Sequence, residues 1–295
     1  MPTDMLIRRL LPLAAGALGA LVPAASHGAG EDQVAHGVHI ERQDWTFGGF
    51  GGQFDGAQLQ RGFQIYKDVC VACHGLKRVY FRNLAQPGGP EFPEQAVKAL
   101  AADWPNKVVD GPDDSGKMFE RPAKLFDPIL GPFRNDQEAR AAQNGALPPD
   151  LSVIAKARNP DYTGPFWAHP FSMLRDVATG YQEGGPNYIL ALLTGYADKV
   201  PEGVKLADGM YYNVAFPGRQ IAMPPPLAKD NFIKYQDGSG SLDQNARDVA
   251  AFLAWAADPS LNDRKRIGWL VMIYLAVTTV LLYLGKRRIW AKVEH

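Results

Sequence analysis

Both cysteines of this 295-residue chain lie in one short stretch, "VCVACHG", from Val69 to Gly75. Cys70 and Cys73 are separated by two residues, and His74 follows directly. Two thiols and an imidazole in this order could belong to a disulfide, to half of a zinc site, or to the C-x-x-C-H sequence to which c-type haem is attached. In the haem interpretation both cysteines form thioethers, and the histidine is the proximal ligand of the iron.

The rest of the sequence favours the haem interpretation. A tetrahedral zinc site needs four ligands and usually a second pair at similar spacing, but the chain has only two cysteines and its other histidines show no ligand spacing. A thioredoxin-like redox pair should follow a strand and open a helix, whereas this pair closes a segment with helical periodicity. We therefore expect one covalently bound haem c and no structural disulfide.

Residues 57–73 carry apolar side chains at helical spacing, so we predict a helix that ends at the cysteines. Asp55 and Gln58 form a plausible capping pair at its start. The periodic positions of this helix are Leu59, Phe63, Tyr66, Cys70 and Cys73. The cysteines would therefore sit at the end of a buried stripe, which would press the edge of a haem against the core.

A second helix is predicted over residues 242–257, because Ser241 and Gln244 form a capping-box pattern. Pro186 suits the first turn of a third helix that continues through "NYILALLTGY". Much of the remaining chain is punctuated by proline and glycine and is predicted to be loop. These features indicate a mainly α fold with long loops, in which a buried haem supplies part of the core.

Four methionines of the segment between the two termini are candidates for a sixth iron ligand, and methionine raises the reduction potential. Met223 is favoured because a turn at 217–218 precedes it and the prolines at 224–226 fix the backbone beyond it. Such a rigid, non-helical loop could hold a thioether over the iron. Met210 is the second candidate. Alternatively, Met223 is an ordinary packing residue of the hydrophobic core.

The N-terminus has the features of a secretory signal. Arg8 and Arg9 precede the apolar stretch "LLPLAAGALGALVP", and small residues follow in "AASHGAG". We predict a signal peptide at 1–29, cleaved somewhere between 25 and 30. A second membrane helix is the alternative, but this apolar stretch is short and rich in alanine and glycine.

The C-terminus contains a 19-residue run without charge, Ile267 to Gly285, flanked by basic residues on both sides. A helix of this length spans about 28 Å, close to the thickness of the hydrocarbon core. We predict an exported haem domain at 30–263, a transmembrane anchor with its basic flanks at 264–288, and a cytoplasmic tail at 289–295. A buried core helix is the alternative.

The formal charge of zero conceals an acidic middle segment. Residues 31–263 hold 22 basic and 29 acidic side chains, a net charge of −7. This balance argues against nucleic acid as a partner and favours a basic protein, because complementary fields steer encounter. Modest acidity that serves solubility alone is an equally good explanation of the charge.

Nearly all of the chain beyond the signal segment resembles the cytochrome c1 family, the haem subunits of quinol–cytochrome c oxidoreductases (cytochrome bc1 complexes). The resemblance rests on several long, ordered segments and is therefore more specific than C-x-x-C-H alone. They are "RGFQIYKDVCVACHGLKRVYFRNL", "DGPDDSGKMFERPAKL", "ALPPDLSVIAKAR", "YILALLTGY", "GMYYNVAFPGRQIAMPPPL" and "DVAAFLAWAADPSLNDRKR". The segment 160–185 is similar to an insertion of bacterial members, some of which carry an extra cysteine pair that this chain lacks.

The resemblance implies a class I c-type cytochrome-like haem domain and the two axial ligands of the iron, His74 and Met223. It also implies that Arg158 lies near a haem propionate, although a solvated surface arginine is the simpler alternative. The other positions that the resemblance assigns to the haem pocket are Pro148, Pro149, Ile154, Tyr188, Phe216 and Ile221.

The resemblance further implies an electron-transfer subunit that accepts electrons from the Rieske iron–sulfur protein and passes them to a soluble cytochrome c. Its companions would be cytochrome b and the rest of a dimeric complex in a bacterial inner membrane, with the haem domain in the periplasm. The complex would be the enzyme, and the isolated chain an electron carrier. Alternatives are a haem-based gas sensor and a membrane-anchored cytochrome of another respiratory oxidoreductase.

Overall fold

The computed structural model is mainly helical and describes most of the chain beyond its N-terminal segment. The described residues are 38, 40–160, 162, 164–197, 199–227, 234–235 and 238–291. The predicted signal peptide and its cleavage region lie outside the described residues and stay a prediction. The same holds for the last four residues of the predicted cytoplasmic tail.

Eight α-helices occur in the described part of the chain. They are α1 Gly56–Asp68, α2 Glu94–Ala102, α3 Asp136–Ala142, α4 Ile154–Ala157, α5 His169–Thr179, α6 Gly184–Thr194, α7 Leu242–Ala257 and α8 Leu261–Trp290. Short 3₁₀ turns lie at Cys70–Ala72, Phe81–Ala85, Phe166–Ala168 and Pro217–Arg219. Long loops connect most of these elements, as expected from the distribution of proline and glycine.

The strands form four separate antiparallel pairs within the described residues. They pair β1 Leu76–Tyr80 with β4 Pro128–Ile129, β2 Val108–Asp110 with β3 Phe119–Arg121, β5 Tyr211–Tyr212 with β6 Gln220–Ile221, and β7 Lys234–Tyr235 with β8 Gly238–Ser239. Each pair is a two-stranded sheet, which is marginally stable at best by itself.

Helix α7 lies at the centre of the fold and packs against α1, α4 and α6. Phe252 on α7 meets two rings of α1, Phe63 at 5.6 Å and Tyr66 at 5.8 Å between ring centroids. These side chains are buried, and Cys70 packs against the same core. The predicted apolar stripe of α1 is therefore confirmed, and it does lead to the first cysteine.

The predicted helix boundaries are confirmed for α7 and only in part for α1. Ser241 caps α7, and its hydroxyl accepts a hydrogen bond from the Gln244 amide at 3.1 Å. Asp55 caps α1 as predicted, but α1 ends at Asp68, so a helix through residue 73 is wrong. The chain leaves helical geometry at Val69 and tightens into the 3₁₀ turn that holds the cysteines.

Helix α8 contains the predicted membrane-spanning run and is long and apolar enough to cross a bilayer, judged by length and composition. Its 30 residues extend about 45 Å. Helix α8 is longer than the uncharged run Ile267 to Gly285 because it also includes the basic residues on both sides of that run. Its first turns are joined to the domain, since the Lys265 ammonium donates to the carbonyls of Phe47 and Gly52 at 2.7 and 3.2 Å.

Helices α4 and α6 cross unusually closely at Gly185, which is buried. A Cβ atom on Gly185 would lie 1.6 Å from the carbonyl oxygen of Ala155. Only glycine therefore allows this crossing.

We expect Gly185→Ala to force α4 and α6 apart and to lower the free energy of unfolding by at least about 1–3 kcal/mol, the usual cost of overpacking. Thermal unfolding of the full chain in mild detergent measures the change. Gly51→Ala is the matched control, because a Cβ at Gly51 would meet no atom within 4 Å. Equal melting temperatures for the two variants would contradict the close crossing.

Candidate functional site

The two cysteines and the histidine share one tight turn that follows α1. The Cys70 carbonyl accepts hydrogen bonds from the amides of Cys73 at 3.1 Å and His74 at 2.9 Å. This turn keeps both thiols and the imidazole within five consecutive residues. Neither sulfur forms a disulfide.

The imidazole of His74 is held by a backbone carbonyl. Its Nδ1 lies 2.7 Å from the carbonyl oxygen of Pro149, so Nδ1 must carry the proton and donate. The Nε2 atom then keeps its lone pair, which is the arrangement found in metal-binding histidines whose other nitrogen is fixed by a hydrogen bond.

The protonation state of His74 also suits a ligand. Burial lowers the pKa of His74, although the Pro149 carbonyl and the Asp150 carboxylate both favour the charged form. The effect of burial is the larger one, so the pKa of His74 is lowered and the ring is neutral at pH 7. A neutral imidazole is the form that binds a metal. The donor set of this turn, two thiols and one oriented imidazole, fits the attachment of a haem.

The thiols themselves are poor redox groups. Burial raises the pKa of Cys70 to about 12, with a further contribution from Cys73. Burial also raises the pKa of Cys73. Both side chains are therefore protonated at neutral pH, whereas redox cysteines require a stabilised thiolate. Within the described residues, no group of three or more His, Cys, Asp or Glu side chains is arranged to hold a metal ion.

A strap at residues 149–152 covers the turn and is fastened by Asp150. Its carboxylate accepts hydrogen bonds from the amides of Lys77 at 2.8 Å and Ser152 at 3.0 Å. The Leu151 amide also donates to the Gly75 carbonyl at 2.9 Å. These bonds hold the Pro149 carbonyl in place opposite the imidazole.

The other side of the turn is closed by a glycine contact. A Cβ atom on Gly75 would lie 2.7 Å from the backbone nitrogen of Gly131, and a Cβ on Gly131 would lie 2.8 Å from that of Gly75. The Tyr66 hydroxyl meanwhile donates to the His74 carbonyl at 3.1 Å. The backbone next to the histidine is therefore fixed from α1, from the strap and from the loop after β4.

The predicted methionine loop follows the β5–β6 hairpin. Met223 is half-buried, and its carbonyl accepts a hydrogen bond from the Tyr196 hydroxyl at 3.0 Å. Burial raises the pKa of Tyr196, and the neighbouring Tyr188 adds to the rise, so this hydroxyl is a protonated donor. The other methionines considered as ligands, Met118, Met173 and Met210, are all exposed.

Asn213 anchors the hairpin beneath this loop. Its buried side chain donates to the Leu192 carbonyl of α6 at 2.8 Å and accepts from the Ala215 amide at 2.9 Å. The β5–β6 turn itself contains Gly218 with φ 76°, a conformation that glycine adopts without strain. The methionine loop is thus fixed to α6, which packs on α4 and α7.

A sequence model of the Cytochrome C1 family matches residues 45–293. The chain belongs to the cytochrome c1 family. The resemblance noted from the sequence is thereby confirmed, and it extends over the cysteine turn, the strap, the methionine loop and α8.

Individual cytochrome c1 relatives match with similar breadth. The chain is 45% identical to cytochrome c1 of Blastochloris viridis over 285 residues, covering 96% of this chain and 95% of the relative. It is 41% identical to cytochrome c1 of Rhodospirillum rubrum over 306 residues, covering 98% and 99%. It is also 46% identical to cytochrome b/c1 of Bradyrhizobium diazoefficiens over 248 residues, which cover 84% of this chain but only 35% of that longer relative.

The carbonyl of Pro149 contacts the His74 ring. Met223 is joined to Tyr196, and Tyr188 lies near enough to Tyr196 to raise the pKa of its hydroxyl. Among the other predicted pocket residues, Pro148 and Phe216 are half-buried, Ile154 packs against the core, and Ile221 is buried. Arg158 is exposed at the end of α4, a position open to either of its two predicted roles.

Sequence reasoning missed the residues that hold the backbone around His74 and Met223 in place. The most important of them are Asp150, Tyr196 and Asn213. A local signal existed for Asp150, because an aspartate two residues before Ser152 often bonds the backbone at that spacing. Tyr196 and Asn213 act through contacts with distant backbone carbonyls. Such contacts leave no pattern in a single sequence.

We expect Asp150→Asn to loosen the strap, because an amide offers one acceptor oxygen where the carboxylate serves two donors. The variant should lose about 1 kcal/mol of stability, the net contribution of one hydrogen bond. Thermal unfolding of the haem-bearing chain measures this loss. Asp114→Asn at an exposed position is the control, and an equally small effect of both changes would contradict the role of Asp150.

Proposed function

We propose that this chain is the electron-transfer subunit of a quinol–cytochrome c oxidoreductase. It takes one electron at a time from a Rieske iron–sulfur protein and passes it to a soluble cytochrome c. The assembled complex is the enzyme, and the chain alone is an electron carrier. The observation that carries the proposal is the C-x-x-C-H turn with its imidazole oriented through Nδ1 by Pro149, in a member of the cytochrome c1 family.

Cys70 and Cys73 would hold the haem through two thioethers, and His74 and Met223 would bind its iron. A bound haem supplies a reversible one-electron centre, and the protein tunes its potential and access. The protein contributes the ligand geometry: the carbonyl of Pro149 keeps the imidazole in one tautomer, and the Tyr196 hydroxyl fixes the backbone of the methionine loop.

The remaining pocket residues would control solvent and charge. Apolar side chains around a haem lower the local polarity and exclude water. We assign this role to Pro148, Pro149, Ile154, Tyr188, Phe216 and Ile221. Arg158 would pair with a propionate, since its exposed position leaves the guanidinium free to reach an anionic group at the surface.

The arrangement across the membrane follows from the two ends of the chain. Helix α8 would anchor the chain in a bacterial inner membrane with a single span. The signal segment would place the haem domain in the periplasm and leave the C-terminus in the cytoplasm. Haem attachment in c-type cytochromes takes place on that outer side, in agreement with this orientation.

The proposed partners are cytochrome b, the Rieske protein and a soluble cytochrome c, in a complex that is dimeric. A relative whose name joins b with c1 supports the first of these. The net charge of −7 over residues 31–263 suits a basic soluble acceptor. Such an encounter should weaken with rising ionic strength, because salt screens exposed charges.

Purification from native membranes in mild detergent tests the function. We expect the chain to copurify with a cytochrome b and an iron–sulfur protein, and its reduced spectrum to be unchanged by carbon monoxide. A spectrum that shifts with carbon monoxide would indicate an open sixth position and favour a gas sensor. Copurification with a terminal oxidase or a dehydrogenase instead would assign the chain to another respiratory complex.

A further inference from the structure

Helix α5 and the turn before it expose a group of large apolar side chains. Phe171, Leu174 and Val177 on α5 are 69%, 66% and 73% exposed, and Phe166 and Trp167 in the preceding turn are 88% and 64% exposed. We call these five residues the outer patch. They lie within the segment 160–185, for which the cytochrome c1 resemblance gives no role.

The opposite side of α5 carries small and polar side chains, and it faces the rest of the protein. Ala168, Ser172 and Asp176 follow each other at four-residue spacing and are partly buried. The Asp176 carboxylate pairs with the guanidinium of Arg42 at 2.6 Å. A helix on the surface of a soluble domain normally turns its apolar side inward. On α5 the apolar side chains face outward instead. A large exposed apolar patch of this kind is typical of a surface that binds a membrane or another protein.

The end of α5 lies beside the start of the membrane helix. A Cβ atom on Gly180, which terminates α5, would lie 3.1 Å from the ring of Phe50. The Phe50 ring in turn meets the ring of Trp269 on α8 edge-on, with 6.5 Å between centroids. Trp269 stands two residues after Ile267, where the uncharged run begins. The C-terminal end of α5 therefore lies close to the level at which the uncharged run of α8 begins.

The charges on α5 also match a lipid surface. Arg175 is exposed among the residues of the outer side, whereas the acidic Asp176 is turned inward to Arg42. A basic side chain beside apolar ones can extend its guanidinium to lipid phosphates while its stem stays among acyl chains. Tryptophan and phenylalanine are suited to the same zone, since aromatic rings favour the interface of a bilayer.

We propose that α5 lies on the membrane surface, with the outer patch inserted among lipid headgroups and upper acyl chains. It forms a second, in-plane attachment next to the transmembrane helix. Two attachments would restrict the tilt of the haem domain relative to the bilayer, whereas a single helix permits rotation about its axis. This role is independent of the proposed electron-transfer partners.

Spin labelling of the full-length chain tests the proposal. Leu174→Cys in the outer patch and Asp114→Cys at an exposed position elsewhere would each carry a nitroxide, in protein purified with its companion subunits and placed in nanodiscs of phosphatidylcholine and phosphatidylglycerol. The unsubstituted chain reports any labelling of Cys70 and Cys73. Collision rates with oxygen, which concentrates in lipid, and with a water-soluble nickel chelate give the depth of each label.

We expect the label at position 174 to favour oxygen over the nickel chelate at least several-fold, and the label at position 114 to show the reverse. Preference for the chelate at both positions would show that α5 lies in water and would overturn the proposal. Protection of position 174 from both reagents would show that another protein surface covers the patch, which also overturns it. None of these outcomes depends on electron transfer.

Discussion

Replacing Met223 with leucine is expected to lower the reduction potential of the bound haem by more than about 60 mV, a tenfold change in the one-electron equilibrium. A thioether is a weak donor that favours ferrous iron, and its loss favours ferric iron. Leucine fills a similar volume, so the half-buried loop should keep its fold. The variant would be a poor acceptor from a high-potential iron–sulfur centre, and quinol oxidation by the complex should fall at least tenfold.

Equilibrium redox titration and quinol turnover measure these two effects. The weak sulfur-to-iron absorption band near the red end of the oxidised spectrum reports the ligand itself. Met210→Leu is the matched control, because Met210 lies just before the same hairpin but is exposed. If the band and the potential survive in Met223→Leu and are lost in Met210→Leu, then Met210 is the ligand.

Replacing Cys70 and Cys73 together with alanine is expected to abolish covalent haem. Each thioether requires one of these sulfurs, and the chain has no other cysteine. Denaturing gels stained for haem peroxidase activity should show a band for the wild-type chain and none for the double variant. Ala72→Ser, an exposed change within the same turn, should keep the stain. Haem retained on the gel by the double variant would contradict the attachment.

Local patterns predicted the helices of the core well. Periodic apolar residues and the caps Asp55 and Ser241 located the starts of α1 and α7, because capping and burial depend on residues close in sequence. The end of α1 was missed, since the turn after it depends on hydrogen bonds from the amides of Cys73 and His74 to one carbonyl. Backbone bonds of this kind do not require particular side chains.

Candidate ligands could be proposed from the sequence, whereas the residues that hold them in place could not. C-x-x-C-H and the proline-bounded methionine are short patterns, so they can be found in a single sequence. The strap held by Asp150 joins positions more than seventy residues apart, and the Tyr196 hydroxyl bonds a carbonyl 27 residues away. Only the folded chain brings these groups together. The same applies to the reversed helix α5, whose outward apolar side becomes evident only once its inward side is known.

The mass of one tryptic peptide tests covalent haem attachment most directly. Cleavage after Lys67 and Lys77 releases the peptide 68–77, "DVCVACHGLK", which contains both cysteines and His74. In protein purified from its native membranes, we expect this peptide to carry the mass of one haem and no thiol that reacts with an alkylating reagent. A peptide without haem, with two free thiols or a disulfide, would contradict a c-type cytochrome.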